Sequence, residues 1–127
     1  MSERIMFGRR IKQVIDFSGM QFGKIMPTDI DGCIDWHGRA LVLMEYKYRD
    51  TPLPYGQQIA LTRMIDMAEA TGKKAVLMVC EHEQADPDKN VEAADARVRD
   101  LYCGGKWYEL RHKPTVRAMT ERFLKGA

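Results

Sequence analysis

The feature that most constrains the fold is a pair of strand-like segments on either side of His37-Gly38. Residues 29–36 and 40–48 have the composition of β-strands, and the dipeptide between them is typical of a hairpin turn. The second segment opens with an apolar run, Ala40-Leu41-Val42-Leu43-Met44, which indicates a central strand covered on both faces. It continues as Glu45-Tyr46-Lys47-Tyr48, so charged side chains follow directly on a buried strand. Charges in such a place rarely stay buried without a partner or a metal ion.

The remaining patterns predict an α/β fold with a mixed central sheet flanked by helices. The expected elements are an amphipathic helix over 3–17 weakened at Gly8, a weak strand over 20–26, a helix over 55–70, a buried strand over 75–80, a hairpin of 97–102 with 106–110, and a closing helix from Pro114 to Leu124. The helix over 55–70 has a broad apolar face, and Gly72 stands where a C-terminal cap is expected. No linker or internal repeat is visible, so residues 1–127 are expected to form one domain.

Composition favours a protein of the cytoplasm. No apolar run approaches the roughly 20 residues that a membrane-spanning helix needs, so no membrane partner is expected. The opening residues Met1-Ser2-Glu3-Arg4 lack the apolar stretch of a signal peptide. Cys33, Cys80 and Cys103 are widely spaced, which suits reduced thiols better than a disulfide framework. The histidines are scattered, so local spacing builds no zinc site.

Charge is distributed unevenly along the chain. Residues 96–127 carry eight Lys and Arg against three acids, a net charge of +5, whereas residues 26–95 carry seven against thirteen, a net charge of −6. A basic segment beside an acidic centre is compatible with a polyanion held near an acidic metal site. Ordinary solvated surface charge explains the same distribution, so charge alone leaves both interpretations open.

The length of the loop at Gly38 decides whether the charged residues of the two strands meet. A two-residue loop would pair position 36 with 39 and turn Glu45 away from Asp31. A three-residue loop pairs position 36 with 40 and places Asp31 opposite Glu45. The same register places Asp29 opposite Lys47, and Gly38 supplies the left-handed residue that such a loop requires. A metal site on this hairpin therefore predicts a loop of odd length.

In that register, the Cβ atoms of Asp31 and Glu45 would lie about 5 Å apart. Two carboxylates at this separation repel one another unless a cation lies between them. Mg²⁺ or Mn²⁺ accepts such ligands, and the ion would activate a bound water for phosphodiester hydrolysis. Lys47 could hold that water or stabilise the charge of the transition state. Alternatively, the acids keep an edge strand soluble, and Glu45 with Lys47 forms a surface pair.

These residues also carry a family resemblance. The pattern Asp31…Glu45-x-Lys47, with a hairpin inside it and a helix after it, resembles the PD-(D/E)xK nuclease superfamily. Within that superfamily it is similar to small Holliday-junction-resolvase-like enzymes and phage or prokaryotic endonucleases. The resemblance covers about residues 27–80. It implies a restriction-endonuclease-like core of helix, three meandering strands, helix and strand, to which a C-terminal hairpin and helix would be added.

The resemblance implies roles for individual residues. Asp31 and Glu45 would bind the metal with the backbone carbonyl of Tyr46, and Lys47 would be catalytic. The family's Pro-Asp appears here as Pro27-Thr28-Asp29, so Asp29 stays an alternative first acid. Members often add an acid from the first helix and a polar residue from the next, for which the candidates here are Glu3 or Asp16, and Gln57 or Gln58. Asp16 could instead cap a helix end, and the two glutamines could serve as capping or solvated residues.

The leading functional prediction is a Mg²⁺-dependent deoxyribonuclease that acts on double-stranded or branched DNA. If the likeness to resolvases extends that far, the protein acts as a homodimer. Basic residues from 97 onward, with Arg9, Arg10 and Lys12, would contact phosphates without reading sequence. The alternative is a non-catalytic nucleic-acid-binding or protein-interaction module that retains the nuclease fold. A purely structural assembly protein is a third alternative.

Overall fold

The computed structural model describes residues 14–127. Its elements are β1 (Gly32–Trp36), β2 (Ala40–Tyr48), α1 (Tyr55–Ala70), β3 (Lys74–His82), a 3₁₀ turn (Ala93–Asp95), β4 (Arg97–Cys103), β5 (Lys106–Glu109) and α2 (Val116–Leu124). Together they form an α/β fold with a mixed sheet, as the sequence predicts. No helix within this range is long and apolar enough to cross a membrane.

The five strands lie in one sheet in chain order, β1-β2-β3-β4-β5. β2 and β3 are parallel and are connected through α1, whereas every other neighbouring pair is antiparallel. A parallel pair needs a crossover connection, and the apolar runs of β2 and β3 mark them as the strands covered on both faces. The sheet therefore buries its centre and leaves β1 and β5 at its edges.

The two helices cover opposite faces of the sheet. One core cluster packs α1 against alternate residues of the central strands: Leu43, Leu61, Ile65, Ala75, Leu77 and Tyr102. The other lies on the α2 side: Val42, Val76, Met78, Cys80, Ala96, Val98 and Val116. Because strand side chains alternate faces, Leu43 and the next odd-numbered residues of β2, Glu45 and Lys47, belong to the α1 face. The charged residues of β2 are thus placed beside the start of α1.

Most predicted elements are confirmed, with α1 at the predicted bounds. α2 begins at Val116 rather than at Pro114, because Thr115 is its N-cap and accepts a hydrogen bond from the Ala118 N–H at 3.1 Å. β1 begins at Gly32, three residues later than predicted.

The N-terminal predictions are corrected where the structure describes them. The helix expected over 3–17 lies mostly outside the described residues, and its last part, 14–17, is not helical. The weak strand expected over 20–26 is wrong, because this segment forms only one bridge between Phe22 and Ile25 around a turn. An isolated bridge spans too few residues to add a strand to a sheet. Residues 14–31 therefore contribute no strand to the five-stranded sheet.

Candidate metal centre at the β1–β2 hairpin

The hairpin has the three-residue loop that the metal-site hypothesis requires. Trp36 pairs with Ala40, and the register continues to Gly32 opposite Met44. His37 and Gly38 both adopt left-handed backbone conformations, with φ of 56° and 67°. The prediction of an odd loop is therefore confirmed, and one further step of the register brings Asp31 across from Glu45.

Asp35 stabilises the turn, not the metal centre. Its Oδ1 accepts a hydrogen bond from the Gly38 N–H at 3.0 Å, and the Arg39 N–H donates to the Trp36 carbonyl at 2.9 Å. A short acidic side chain that accepts from a backbone N–H inside the turn is a common stabiliser of such loops.

Substitution of the loop glycine is expected to destabilise the hairpin. Gly38→Ala adds a Cβ at a positive φ, which should lower the free energy of unfolding by about 1 kcal/mol, although no atom lies within 4 Å of that Cβ. Gly56→Ala is the matched control, because Gly56 lies in α1 with open space around it and should stabilise by about 0.5 kcal/mol. Urea unfolding of both variants measures the difference, and equal effects of the same sign would contradict it.

Asp31 and Glu45 are joined by reciprocal hydrogen bonds between side chain and backbone. The Asp31 N–H donates to Glu45 Oε2 at 2.7 Å. The Tyr46 N–H donates to Asp31 Oδ2 at 2.8 Å. Hydrogen bonds to charged acceptors are stronger than neutral ones, so these contacts fix both carboxylates where β1 begins.

Glu45 is the one buried charged residue among residues 14–127, with 1% of its surface exposed. The side-chain amide of Gln57 donates to Glu45 Oε1, and the same amide lies 3.3 Å from the Asp29 carbonyl oxygen. Gln57 thereby connects the start of α1 to the hairpin. Both oxygens of Glu45 consequently accept hydrogen bonds from the protein.

The environment of Glu45 disfavours its charged form. Burial raises the pKa of its carboxyl, the hydrogen bond from Asp31 opposes this in part, and the negative charge of Asp31 raises the pKa again. The nearby Lys47 ammonium acts in the lowering direction. A cation between the two carboxylates would offset the cost of charging Glu45, because it would favour the charged form of both carboxyl groups.

Lys47 lies one pleat beyond Glu45 on the same face of β2 and is half-buried. Its register partner on β3 is Glu81, whose carboxylate forms an ion pair with Lys113 at 3.0 Å. No acid within residues 14–127 comes within 4 Å of the Lys47 ammonium, so Lys47 forms no ion pair with this part of the chain. The geometry places a positive charge beside the carboxylate pair.

The other candidates are distributed differently. Asp29 contributes its backbone carbonyl to Gln57, and the segment that carries it precedes β1. Asp16 is exposed and accepts a hydrogen bond from the Ser18 N–H at 2.9 Å, which lowers the pKa of its carboxyl. This bond closes a local turn, and among residues 14–127 nothing joins Asp16 to Asp31 or Glu45.

Gln58 lines a neighbouring cavity on the same face of the sheet. Glu3 lies outside the described residues.

The backbone and the hydroxyl of Tyr46 contact different parts of the structure. Its backbone N–H bonds to Asp31, while its hydroxyl reaches the other face and donates to the Ala93 carbonyl at 3.2 Å. Burial raises the pKa of this phenol, so the hydroxyl stays protonated. The backbone carbonyl is the group that the family resemblance offers to a metal.

The donor set fits a hard divalent cation. Carboxylate and carbonyl oxygens suit Mg²⁺ or Mn²⁺, and Asp31 Oδ1 accepts no hydrogen bond from residues 14–127. Over the same range, no three His, Cys, Asp or Glu side chains are grouped closely enough to hold an ion by themselves. Mg²⁺ is commonly bound by only one or two carboxylates, with waters and phosphate oxygens completing its shell. Asp31 and Glu45 would hold the ion in this manner.

Comparison with protein-family models, with curated proteins and with solved structures finds no match in any of the three. On one face of one hairpin and one helix start, the structure brings together two carboxylates, an amide and an ammonium. Such groups can bind a cation, orient a water molecule and stabilise developing negative charge.

One part of the surroundings was missed by the sequence reasoning. The register of the sheet runs from Glu45 to Val79 on β3, then to Asp100 on β4 and Glu109 on β5. A sequence signal existed for the last pair, because a two-residue loop at Gly104-Gly105 pairs position 103 with 106 and hence 100 with 109. Nothing in the sequence placed that hairpin beside β3.

Proposed function

We propose that the protein is a metal-dependent endonuclease that hydrolyses DNA phosphodiester bonds with Mg²⁺ or Mn²⁺. The observation that carries this proposal is the hairpin register, which sets Asp31 against Glu45 with Lys47 one pleat farther along β2. Two carboxylates and an ammonium on a rigid sheet are the groups that metal-assisted phosphodiester hydrolysis uses.

Each residue has a defined part in this proposal. Asp31 and Glu45 would hold the ion with the carbonyl of Tyr46, and Gln57 orients the Glu45 carboxylate through its amide. When bound, the ion would supply an activated water and neutralise charge on the scissile phosphate. The Lys47 ammonium would position that water or stabilise the transition-state charge.

A nuclease-like core is part of the same proposal. It is supported by the order β1, β2, α1, β3, which matches two of the three meandering strands, the helix and the strand that the family resemblance implies; residues 14–31 supply no third strand. The C-terminal hairpin β4–β5 and helix α2 then stand as additions to that core.

DNA is the proposed partner, double-stranded or branched, and a homodimer is the proposed assembly. The structure separates seven of the eight basic residues of the C-terminal third into two groups, and the eighth, Lys106, lies at the β4–β5 turn. At the sheet end that carries Lys47 lie Arg97, Arg99, Arg111 and Lys113, with Arg49. On α2 and just after it, beside the opposite face, lie Arg117, Arg122 and Lys125. The first group is expected to contribute most to phosphate contacts, since it borders the candidate centre.

Cleavage of supercoiled plasmid and of branched DNA tests the function. The parent protein should cut with Mg²⁺ or Mn²⁺ and stop when EDTA is added. Asp31→Ala and Lys47→Ala should each lower the rate on the order of 10²-fold or more, because each removes a group that acts on the reacting phosphate. Lys73→Ala is the matched control, because Lys73 is exposed just after the end of α1 and has no part in the proposal, and it should cleave like the parent. If both site variants also cleave like the parent, the assignment is wrong.

A second candidate function is a non-catalytic nucleic-acid-binding module that retains the fold. One observation favours it: both oxygens of Glu45 are satisfied by hydrogen bonds from the protein, so the carboxylate has a structural role even without an ion. Such a module would bind DNA with a steep salt dependence, without cleavage and without a metal-dependent rise in melting temperature.

A further inference from the structure

A second concave site adjoins the candidate metal centre on the α1 face. It is a cavity of about 520 Å³ whose walls include Gln58, Val79, Arg99, Asp100, Trp107 and Glu109. Val79 is the register partner of Glu45, so the cavity begins one strand away from the buried carboxylate. Gln57 contacts Glu45, whereas the next residue, Gln58, lines this cavity. The two sites therefore share the first turn of α1.

The cavity presents two opposed carboxylates. Leu110 donates its N–H to the Arg99 carbonyl at 2.9 Å, so the alternation of an antiparallel ladder makes Asp100 and Glu109 a non-hydrogen-bonded pair. Side chains approach most closely in such pairs, and like charges directly opposite one another are destabilising. The Arg99 guanidinium offsets part of this repulsion at Asp100, and a ligand that donates hydrogen bonds to Glu109 would relieve the rest.

A β-bulge brings a cation to the same wall. The register of β3 with β4 shifts between Val79 and Cys80, which leaves Arg99 as the extra residue of β4. A bulge re-aims the side chain at that position, and the Arg99 Nε lies 3.1 Å from Asp100 Oδ2. Glu109 forms no ion pair with any residue in 14–127, so its carboxylate stays available as an acceptor.

Trp107 adds a flat apolar surface. Its ring packs on Tyr102 with ring centroids 5.2 Å apart, and 40% of the residue remains exposed while it lines the cavity. Exposed aromatic rings are the usual platforms on which unstacked nucleobases lie.

We propose that this cavity binds a nucleobase of the cleaved strand, and that the base is guanine. The inference rests on the proposed nuclease function. Guanine offers two adjacent N–H donors on its Watson–Crick edge, which match a carboxylate, beside a carbonyl oxygen that matches the Arg99 guanidinium or the Gln58 amide. Adenine and cytosine each place a ring acceptor next to their single amino group, and thymine has one N–H between two carbonyls. A carboxylate would face a lone pair on each of these three bases.

The spacing suits one nucleotide. Asp100 lies two strand positions from Glu45, or about 10 Å at the usual distance between neighbouring strands. A phosphate at the metal centre and an unstacked base in the cavity could belong to neighbouring parts of the same strand. Such a base would have to leave its stack, as bases do in other enzymes that act on extruded nucleotides.

Mononucleotide binding tests the pocket without cleavage. In a Trp36→Phe variant, Trp107 is the only tryptophan, so its fluorescence reports on the cavity. This variant is titrated in the presence of EDTA with each of four mononucleotides: dGMP, dAMP, dCMP and dTMP. We expect dGMP to quench the indole and to bind about tenfold more tightly than the other three. Glu109→Gln should remove most of that preference, while Glu121→Gln on α2 should leave it unchanged. Equal quenching by all four nucleotides, or none by dGMP, overturns the proposal.

The nucleotide at the cut provides a second measurement. Sequencing the ends of plasmid fragments from the parent should show guanine enriched at one fixed position beside the break, and Glu109→Gln should lose that enrichment. Asp31→Ala separates the two proposals, because it should abolish cleavage while dGMP binding persists. A parent that never cleaves but prefers dGMP refutes the nuclease and retains the pocket. A parent that cleaves without any base preference refutes the pocket and retains the nuclease.

Discussion

Glu45→Gln is expected to reduce DNA cleavage on the order of 10²- to 10³-fold, because it removes the charge of one of the two carboxylates that would hold the ion. The variant keeps the shape of the side chain. Plasmid cleavage measured at several Mg²⁺ concentrations reports the loss. The melting temperature supplies an independent reading, since Mn²⁺ should raise it in the parent and not in the variant.

The same substitution should also cost stability. Both Glu45 oxygens accept hydrogen bonds from donors, the Asp31 N–H and the Gln57 amide. A glutamine at this position must turn its own amide toward one of those donors. Either one buried donor then lacks an acceptor, or the Gln57 amide flips and loses its hydrogen bond to the Asp29 carbonyl; the loss costs about 1–3 kcal/mol. Urea unfolding measures this loss.

Glu121→Gln is the control for that experiment. Glu121 is exposed on α2, where it forms an ion pair with Arg117 at 3.1 Å. An exposed pair of this kind contributes less than about 1 kcal/mol, so neither cleavage nor stability should change appreciably. Full cleavage by a folded Glu45→Gln protein would show that Glu45 is a structural residue and not a metal ligand of the nuclease.

Leu43→Ala is expected to lower the free energy of unfolding by about 3 kcal/mol. Leu43 is fully buried in the α1-face cluster with Leu61, Ile65 and Leu77, and truncation leaves a cavity that this packed layer closes only in part. A loss of this size is a large fraction of the stability of an ordinary domain. The midpoint of urea unfolding should fall while the slope of the transition stays the same.

Leu41→Ala is the matched comparison on the same strand and face. Leu41 is only partly buried, so its truncation should cost about 1 kcal/mol. Equal losses for the two variants would contradict the placement of Leu43 at the centre of the core.

The sequence predicts the local elements well where pattern and turn chemistry agree. The hairpin loop follows from Gly38, and α1 keeps its predicted bounds because its apolar face and Gly72 mark them. The prediction fails over 14–31. In that segment, the spacing of apolar residues does not show whether they pack against the rest of the protein. Val14 and Ile15 are among the most exposed apolar residues of the described chain.

The acid pair was accessible from sequence because both residues lie on one hairpin, whose register depends on a loop of three residues. The contact of Gln57 with Glu45 was accessible only as one of two alternatives, since helix spacing does not say which glutamine faces the sheet. The opposition of Asp100 and Glu109 was not predicted, because the expected connection of 103–105 would have shifted the register by one residue; the structure has the two-residue loop Gly104-Gly105 and places the pair beside Val79.

The sequence by itself determined the hairpin and narrowed its loop to two or three residues, because these depend on residues close together in the chain; the structure chose the three-residue loop that pairs Asp31 with Glu45. The tertiary structure alone decided that α1 delivers Gln57 to the buried carboxylate and that β4 and β5 extend the same face into a polar cavity. The physical reason is that these two kinds of contact depend on different parts of the chain. Hairpin registers follow from local turn geometry, whereas the neighbours of β3 follow from burial of its apolar faces by elements distant in sequence.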